Sequence, residues 1–222
     1  MSTWSDRTIA CPRCSASVRA RIALGAHIGR VPEVRDAVLA RTFHRFPCAA
    51  CGMSIQVHAR FEYTDIERRQ LVLVGLPPEV RTWQELETTL NTTIDRALEH
   101  GSPLVAPFVR EVKRRVVFGV EELREKLVVW DAGLDDGLVE CIKVRAYASD
   151  PTLAAPGSRL HVDAVSEGDV LRCKWFPSPD AAPDKVLELP DHWVADAVRD
   201  RESLEARFPE LFRGGFVSVD RL

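Results

Sequence analysis

Two pairs of cysteines, each with two residues between its members, constrain this chain more than any other feature of its sequence. The first pair is Cys11 and Cys14 in "CPRC", and the second is Cys48 and Cys51 in "CAAC". A Cys-x-x-Cys turn directs two sulfurs to one side of a tight loop, and two such turns supply four tetrahedral zinc ligands. The sequence therefore predicts one closed, structural Cys₄ site with one Zn²⁺ per chain.

The residue after each pair bears on the geometry of its turn. Gly52 follows the second pair, and glycine adopts a positive φ without strain, whereas Ser15 at the equivalent place is less favourable. Other uses of the cysteines stay open. Iron binds the same four thiolates, a thioredoxin-like redox pair resembles "CPRC" but needs a strand-to-helix setting, and disulfides are rare in a reducing compartment. His44 and His58 flank the second pair, but four cysteines already fill a tetrahedron.

Composition indicates a globular protein outside the membrane. The chain has 222 residues, of which 45% are hydrophobic and 28% charged, a length typical of one or two domains. Its longest apolar runs are too short to span a bilayer, and its first residues lack the basic start and apolar run of a signal peptide. We therefore expect a cytoplasmic protein, in which paired cysteines hold metal more often than they form disulfides.

The first 75 residues predict a small β-rich unit around the cysteine pairs. "SVRARIAL" places Val18, Ala20, Ile22 and Leu24 on one face of a strand, and "SIQVHARFEY" alternates in the same way. A turn then leads to "RRQLVLVG", which predicts a hairpin. Between the pairs, "VPEVRDAVLARTF" has helical spacing with a proline in its first turn.

From residue 76 the pattern becomes mainly helical. "TWQELETTLNTTIDRALEHG" predicts a helix ending at Gly101, "GVEELREKLVVWDAG" predicts a second, and "LDDGLVECIKVRAY" fits a helix starting at Asp135 or a strand. After a linker, "RLHVDAV" and "DVLRCKWF" predict a hairpin with "KVLEL" as a third strand, and "PDHWVADAVRDRESLEARF" predicts a final helix. The fold class is thus α+β.

This reading gives three segments. Residues 1–75 form a zinc-ribbon-like β unit with a short inserted helix, residues 76–150 a mainly helical segment, and residues 159–222 a small α+β segment that packs either alone or with the second. A zinc-stabilised ribbon of this size has a shallow core. We therefore expect metal removal to unfold residues 1–75 and to leave residues 77–222 folded.

Three stretches, "TIACPRCSASVRARI", "RFPCAACGMSIQVHARFEYTDIERRQLVLVGLP" and "VVFGVEELREKLVVWDAGLDDGLVECIKV", together resemble the bacterial CpXC-domain proteins. The resemblance covers most of residues 1–148 and marks the same four cysteines as the paired cysteines of that family. Ala49 departs from the proline that the family has in its second pair. The family is functionally uncharacterised, so the resemblance implies a fold and a cysteine site, and no activity.

Signatures of enzymes are missing from the sequence: it has no phosphate-binding loop, no nucleophile elbow and no His-Glu-x-x-His helix. His161, Asp163, Glu167 and Asp169 in "HVDAVSEGD" suggest a second metal site, but the acids at 167 and 169 are more typical of a solvated turn. The first hypothesis is therefore a non-enzymatic zinc protein that binds an unidentified protein partner as an interaction or assembly module.

Two alternatives remain. Residues 1–75 carry a net charge of +5 before metal binding, against −3 for the whole chain, and four thiolates with one Zn²⁺ lower that value to about +3. A nucleic-acid-binding regulator would use the arginines of the ribbon, namely Arg13, Arg19, Arg21 and Arg45. The other alternative is an enzyme with an unrecognised site after residue 76, because a fold never excludes a function.

Overall fold

Strands and helices both build the protein, which confirms the α+β prediction. The computed structural model describes residues 2–100, 106–178 and 181–222. The protein chain divides into two compact units, Met1–Leu123 and Arg124–Leu222. This boundary differs from the predicted one after residue 75, because Gln70–Gly75 pairs in parallel with Lys113–Phe118.

The first unit is built on a five-stranded sheet and a separate two-stranded hairpin. Its strands are Thr3–Ala10 (β1), Ser17–His27 (β2), Arg45–Pro47 (β3), Ser54–Gln56 (β4), Phe61–Asp65 (β5), Gln70–Gly75 (β6) and Lys113–Phe118 (β7). The large sheet has the order β1-β2-β5-β6-β7, and β3 pairs with β4. Its helices are Pro32–Leu39 (α1), Trp83–His100 (α2) and Ala106–Glu111 (α3).

Helices fill the connections between the parallel strands of this sheet. β2 runs parallel to β5, and β6 runs parallel to β7, so each pair needs a long crossover. The chain from β2 to β5 includes α1, whose Val34 and Val38 are buried, and the chain from β6 to β7 includes α2, which buries Leu90 and Ile94. The stop predicted for α2 at Gly101 lies outside the described residues. The β5–β6 hairpin is confirmed.

Three local predictions in this unit were wrong. "SIQVHARFEY" is two strands, because β4 pairs with β3 while β5 pairs with β2 and β6. Leu24 is 46% exposed, since the register of β1 against β2 shifts between Thr3 and Trp4 and buries Ala23 directly after Ile22. β7 was missed because the first half of this edge strand is charged and shows no alternation.

The second unit combines helices with a three-stranded antiparallel sheet of order β10-β9-β8. Its strands are Arg159–Ser166 (β8), Val170–Phe176 (β9) and Lys185–Glu188 (β10), which confirms the predicted hairpin and third strand. Its helices are Asp136–Ser149 (α5), His192–Arg199 (α6) and Arg201–Arg207 (α7), and Val120–Asp131 (α4) spans the boundary between the units.

The terminal helical prediction needs one correction. The final helix is interrupted, because Asp200 leaves the helical conformation with φ −95° and ψ 16° and separates α6 from α7. The helix at Asp135 is confirmed over the alternative strand: its carboxylate accepts hydrogen bonds from the N–H groups of Gly137 and Leu138, at 2.8 and 3.3 Å. Over the part of the chain that the structure describes, no helix has both the length and the apolar character that crossing a membrane requires.

Candidate metal centre

The first cysteine turn connects β1 to β2. The N–H of Cys11 donates to the carbonyl of Ala16 over 2.9 Å, and the N–H of Ser15 donates to the carbonyl of Cys11 over 2.8 Å. These bonds close residues 11–16 into a tight loop, in which Cys11 is buried and Cys14 is exposed. Ser15 adopts a φ of 58°, a left-handed conformation that costs an L-residue roughly 1–2 kcal/mol.

The second turn, between β3 and β4, repeats this arrangement. The N–H of Cys48 donates to the carbonyl of Met53 and the N–H of Gly52 donates to the carbonyl of Cys48, both over 2.8 Å. Gly52 has a φ of 70°, which confirms the expectation that glycine supplies a positive φ here. The two turns thus share one backbone design, and only the second has the residue that adopts it without strain.

The two turns bring all four sulfurs together. The Sγ atoms of Cys11, Cys14, Cys48 and Cys51 all lie within 4.8 Å of one another. Cys11 and Cys51 are 3.6 Å apart at sulfur, as are Cys14 and Cys48, so each close pair joins the two turns. A tetrahedron with metal–sulfur distances of about 2.3 Å has sulfur–sulfur edges of about 3.8 Å. The donor set therefore fits a single tetrathiolate-bound ion.

The thiols of this cluster have unlike proton affinities. Burial raises the pKa of Cys11, but the N–H groups of Arg13 and Cys14 and the adjacent thiols outweigh burial and lower the pKa to about 6. At Cys14 the N–H of Ala16 lowers the pKa, whereas the thiols of Cys51 and Cys48 raise it to about 12. Four crowded sulfurs cannot all ionise without a cation, so a metal ion bound here displaces protons.

A small apolar cluster packs around the buried cysteines of the site. Its buried members are Cys11, Val18, Cys48 and Ile55. Partly buried side chains complete it, namely Ile9, Ala16, Phe46, Cys51, Met53 and Val57. The cluster is drawn from the two turns, the β3–β4 hairpin and the adjoining ends of β1 and β2. The packing of these ends therefore depends on the cysteines remaining together.

Neither histidine near the second pair takes part in the cluster. The ring Nε2 of His44 accepts a hydrogen bond from the N–H of Ala23 over 2.9 Å, and the ring stacks on Phe43 with centroids 4.0 Å apart. Burial lowers the pKa of His44 to about 4, so the ring is neutral and structural. His58 is exposed. The group with metal-ligand geometry among the described residues consists of the four cysteines.

Comparison with known protein families agrees with this geometry. The model of the family described as "CpXC protein" matches residues 9–143, more than half of the chain. The chain belongs to the CpXC family. No curated protein and no solved structure matches it. The match contains both cysteine turns and ends within α5, so residues 144–222 of this CpXC protein lie outside it.

The arginines considered for nucleic acid are all exposed in this CpXC protein. Arg19 and Arg21 alternate with buried residues on β2 and therefore share one face, while Arg13 lies in the first turn and Arg45 begins β3. The guanidinium carbon of Arg21 lies 5.3 Å from the centre of the Trp4 ring. Whether these side chains contact nucleic acid stays a prediction.

The second metal site considered at His161 and Asp163 has another explanation. His161 Nδ1 lies 3.1 Å from Glu125 Oε2. Asp163 forms ion pairs with Arg124 at 3.0 Å and with Lys174 at 3.1 Å. These contacts engage both side chains with protein groups of the second unit. The residues are thus part of its internal charge pairing.

Sequence reasoning missed a buried ionic network in the same unit. It joins Glu125 and Lys126 of α4 with Asp136, Glu140 and Lys143 of α5, and all five side chains are at most 4% exposed. Glu122 lies four residues before Lys126 in α4, and its carboxylate accepts the N–H of Phe118 over 2.7 Å. The signal available was charge density, because "VEELREKL" and "DDGLVECIK" carry nine charged residues between them, including all five of the network.

Proposed function

We propose that the four cysteines hold one Zn²⁺ as a structural ion, and that this CpXC protein is a non-enzymatic module that binds a protein partner. The observation that carries the metal assignment is the convergence of four thiols from two turns with the same hydrogen-bond pattern. Four sulfurs fill a tetrahedral coordination sphere. Such a site keeps no open position for substrate or water, which favours a structural ion over a catalytic one.

The metal assignment is tested by elemental analysis of protein purified without added metal. We expect one zinc per chain, and its loss from Cys48→Ser. Cys141→Ala is the matched control, because Cys141 is buried in α5 and is not one of the four clustered cysteines, and this variant should keep its metal. Stoichiometric iron with visible thiolate-to-iron absorption identifies the site as an iron site, and a metal-free protein with two disulfides refutes both assignments.

The tips of the two turns support a binding role. Pro12 and Arg13 in the first turn and Ala49 and Ala50 in the second are all exposed. An ion that fixes both turns also fixes these side chains, and a rigid surface binds with a smaller entropic cost than a mobile one. We propose that the partner contacts these tips, in the cytoplasm, where the thiols stay reduced.

Affinity capture from the native host tests this role. Ala50→Arg changes the tip while keeping the four ligands, so it should retain zinc and lose the partner. Arg30→Gln, at an exposed position outside the turns, is the control and should retain both. A partner captured equally by wild type and Ala50→Arg places the contact elsewhere on the protein.

A nucleic-acid-binding regulator is the second candidate, favoured by the placement of Arg19 and Arg21 on one exposed face with Trp4 beside them. Four arginines neutralise at most four phosphates, which limits the log–log salt slope to about −3.6 on duplex DNA. With a net charge of −3 for the chain, we expect no tight duplex binding at physiological salt. Submicromolar binding that Arg19→Gln abolishes and Arg30→Gln preserves would reverse the order of the two candidates. An enzyme site after residue 76 stays a prediction.

A further inference from the structure

A cleft in the second unit lies outside the metal centre and is formed largely by chain beyond the CpXC match. It is bounded by α5, α6 and α7 and has a volume of about 270 Å³. That lies just below the range of roughly 300–1,000 Å³ that is typical of small-molecule pockets. A docked peptide helix, about 10 Å across, needs a larger trough.

The lining of this cleft is mainly apolar. Trp193 and Phe208 supply aromatic surface, and Ile142, Ala197 and Leu204 supply aliphatic surface. Cys141 also reaches the cleft, but burial raises the pKa of its thiol to about 12, so it contributes a neutral and unreactive group. Apolar concave surface of this kind favours the apolar part of a ligand, because binding releases water from both.

Charges at the cleft are unequally matched. Asp196 accepts hydrogen bonds from Arg145 at 3.1 Å and from Arg199 at 2.8 Å, and Arg199 also reaches Asp200 at 3.2 Å. The hydrogen bonds from Arg145 and then Arg199 lower the pKa of Asp196, and both acids of the cleft are already paired with arginines. A cationic ligand therefore finds no free carboxylate.

Arg207 is the cation of this cleft that has no acid to balance it. It is exposed, its guanidinium carbon lies 5.0 Å from the centre of the Phe208 ring, and no ion pair joins it to a carboxylate within residues 106–178 and 181–222. A planar guanidinium stacked on an aromatic ring keeps its N–H edge directed outward, where it binds a carboxylate through two hydrogen bonds.

We propose that this cleft binds a small amphiphilic carboxylate, with an aromatic or branched apolar body between α5, α6 and α7 and its carboxylate on Arg207. This goes beyond the proposed metal and partner functions, because it uses neither the cysteines nor the turn tips. It assigns the C-terminal helices of this chain to ligand recognition.

The test is isothermal titration of the full-length, metal-loaded protein with 4-phenylbutyrate and with its neutral amide, 4-phenylbutyramide. We expect the carboxylate to bind at least about 10-fold more tightly than the amide, as a charge-assisted contact contributes. In Arg207→Gln the two affinities should become equal while the amide affinity is unchanged. Arg213→Gln, at an exposed position that does not line the cleft, should keep the wild-type ratio.

A blocking variant keeps the test independent of Arg207. Ala148 is exposed and lines the cleft, so Ala148→Phe should fill it without disturbing the core and abolish binding of both probes. Absence of carboxylate binding to wild type, equal affinities for the two probes, a wild-type ratio in Arg207→Gln, or undiminished binding in Ala148→Phe each overturns the proposal. So does tight binding of a peptide with an apolar C-terminal residue when both small probes fail.

Discussion

The cysteine cluster and the buried ionic network both gather titratable groups in a confined space, but they balance their charge in opposite ways. The four thiols of the cluster include no cation, so ionising them needs an ion from outside the chain. The network combines three acids with two lysines, all supplied by α4 and α5. One region therefore depends on metal supply, whereas the other is complete when the chain folds.

Contacts within the network show how it is satisfied. Glu140 Oε1 lies 2.9 Å from Lys143 Nζ and 3.3 Å from Lys126 Nζ, and its Oε2 accepts the N–H of Val219 over 3.0 Å. Lys143 also reaches Glu125 Oε1 at 2.7 Å. Removing one partner from such a buried network destabilises the fold, because the charge left behind stays uncompensated.

Metal removal is the largest test of this contrast. Structural zinc contributes about 10–16 kcal/mol of binding free energy at neutral pH, so chelation or Cys11→Ser should open the two turns, the β3–β4 hairpin and the adjoining ends of β1 and β2. The structure narrows the expected unfolding of residues 1–75, because β5 and β6 belong to a sheet that includes β7. Hydrogen exchange resolved by segment is the measurement.

We expect slow exchange to persist in β5, β6 and the whole second unit after chelation. Protection of the turns that survives metal loss shows that the cysteine end, like the network, is complete within the chain. Loss of protection throughout the second unit shows instead that both regions depend on metal.

Removing one charge from the network should have the next largest effect. Glu140→Gln takes the shared acid from Lys126 and Lys143, and we expect it to destabilise the fold by about 3–5 kcal/mol while the zinc content stays at one per chain. Urea denaturation with elemental analysis measures both. Arg201→Gln breaks the exposed pairs to Asp135 and Glu205 and serves as the control, at no more than about 1 kcal/mol. Equal effects of the two substitutions contradict a special role for the buried network.

The two turns offer a smaller test, since they share one backbone hydrogen-bond pattern but differ in the residue at the αL position. Gly52→Ala should destabilise the metal-bound protein by about 1–2 kcal/mol through its positive φ alone, because a Cβ added there meets no atom within 4 Å. Ser15→Gly should stabilise it by up to about 1 kcal/mol, as the strain of the first turn is relieved. Thermal melts at fixed zinc concentration compare them. If Gly52→Ala stabilised the protein, the positive φ of Gly52 would not be the reason for a glycine at this position.

The smallest expected effect is the response of the network to mild acid. Burial raises the pKa of Glu125, but Lys143 and then His161 outweigh burial and hold the pKa well below its ordinary 4.5. A depressed pKa contributes stability that is present above pH 4.5 and is lost only as the pH falls toward the folded value. The stability difference between wild type and Glu125→Gln should therefore change by less than about 0.5 kcal/mol between pH 8 and pH 5.

The stability of the network at high pH depends on Lys143, which pairs with the carboxylate of Glu125. Burial lowers the pKa of Lys143, but Glu125 and Glu140 outweigh it and raise the pKa above 10.5. That stability is complete below pH 10.5 and is lost as the pH rises through the folded value.

Over pH 8 to 5 the cysteine site should lose metal as protons compete for its thiolates. Urea midpoints and zinc retention measured on the same samples therefore separate the two regions.

The sequence by itself determined the features that a few neighbouring residues encode. The spacing of Cys11 to Cys14 and of Cys48 to Cys51, the positive φ of Gly52 and the cap at Asp135 each depend on a local backbone geometry. The same holds for the hairpins and for the amphipathic helices, since the period of apolar residues is a property of the segment itself. The CpXC resemblance followed from these local patterns.

Only the tertiary structure decided which segments pair and which charges are buried. β7 forms because β6 offers it a parallel edge. "SIQVHARFEY" divides into two strands because its first part pairs with β3 and its last part pairs with β2 and β6. Glu140 and Lys143 are buried because partners on α4, 14 to 18 residues away in sequence, meet them there. Such pairings depend on distant residues, and the free energy of a strand edge or a buried charge is set by its partner, which no local pattern specifies.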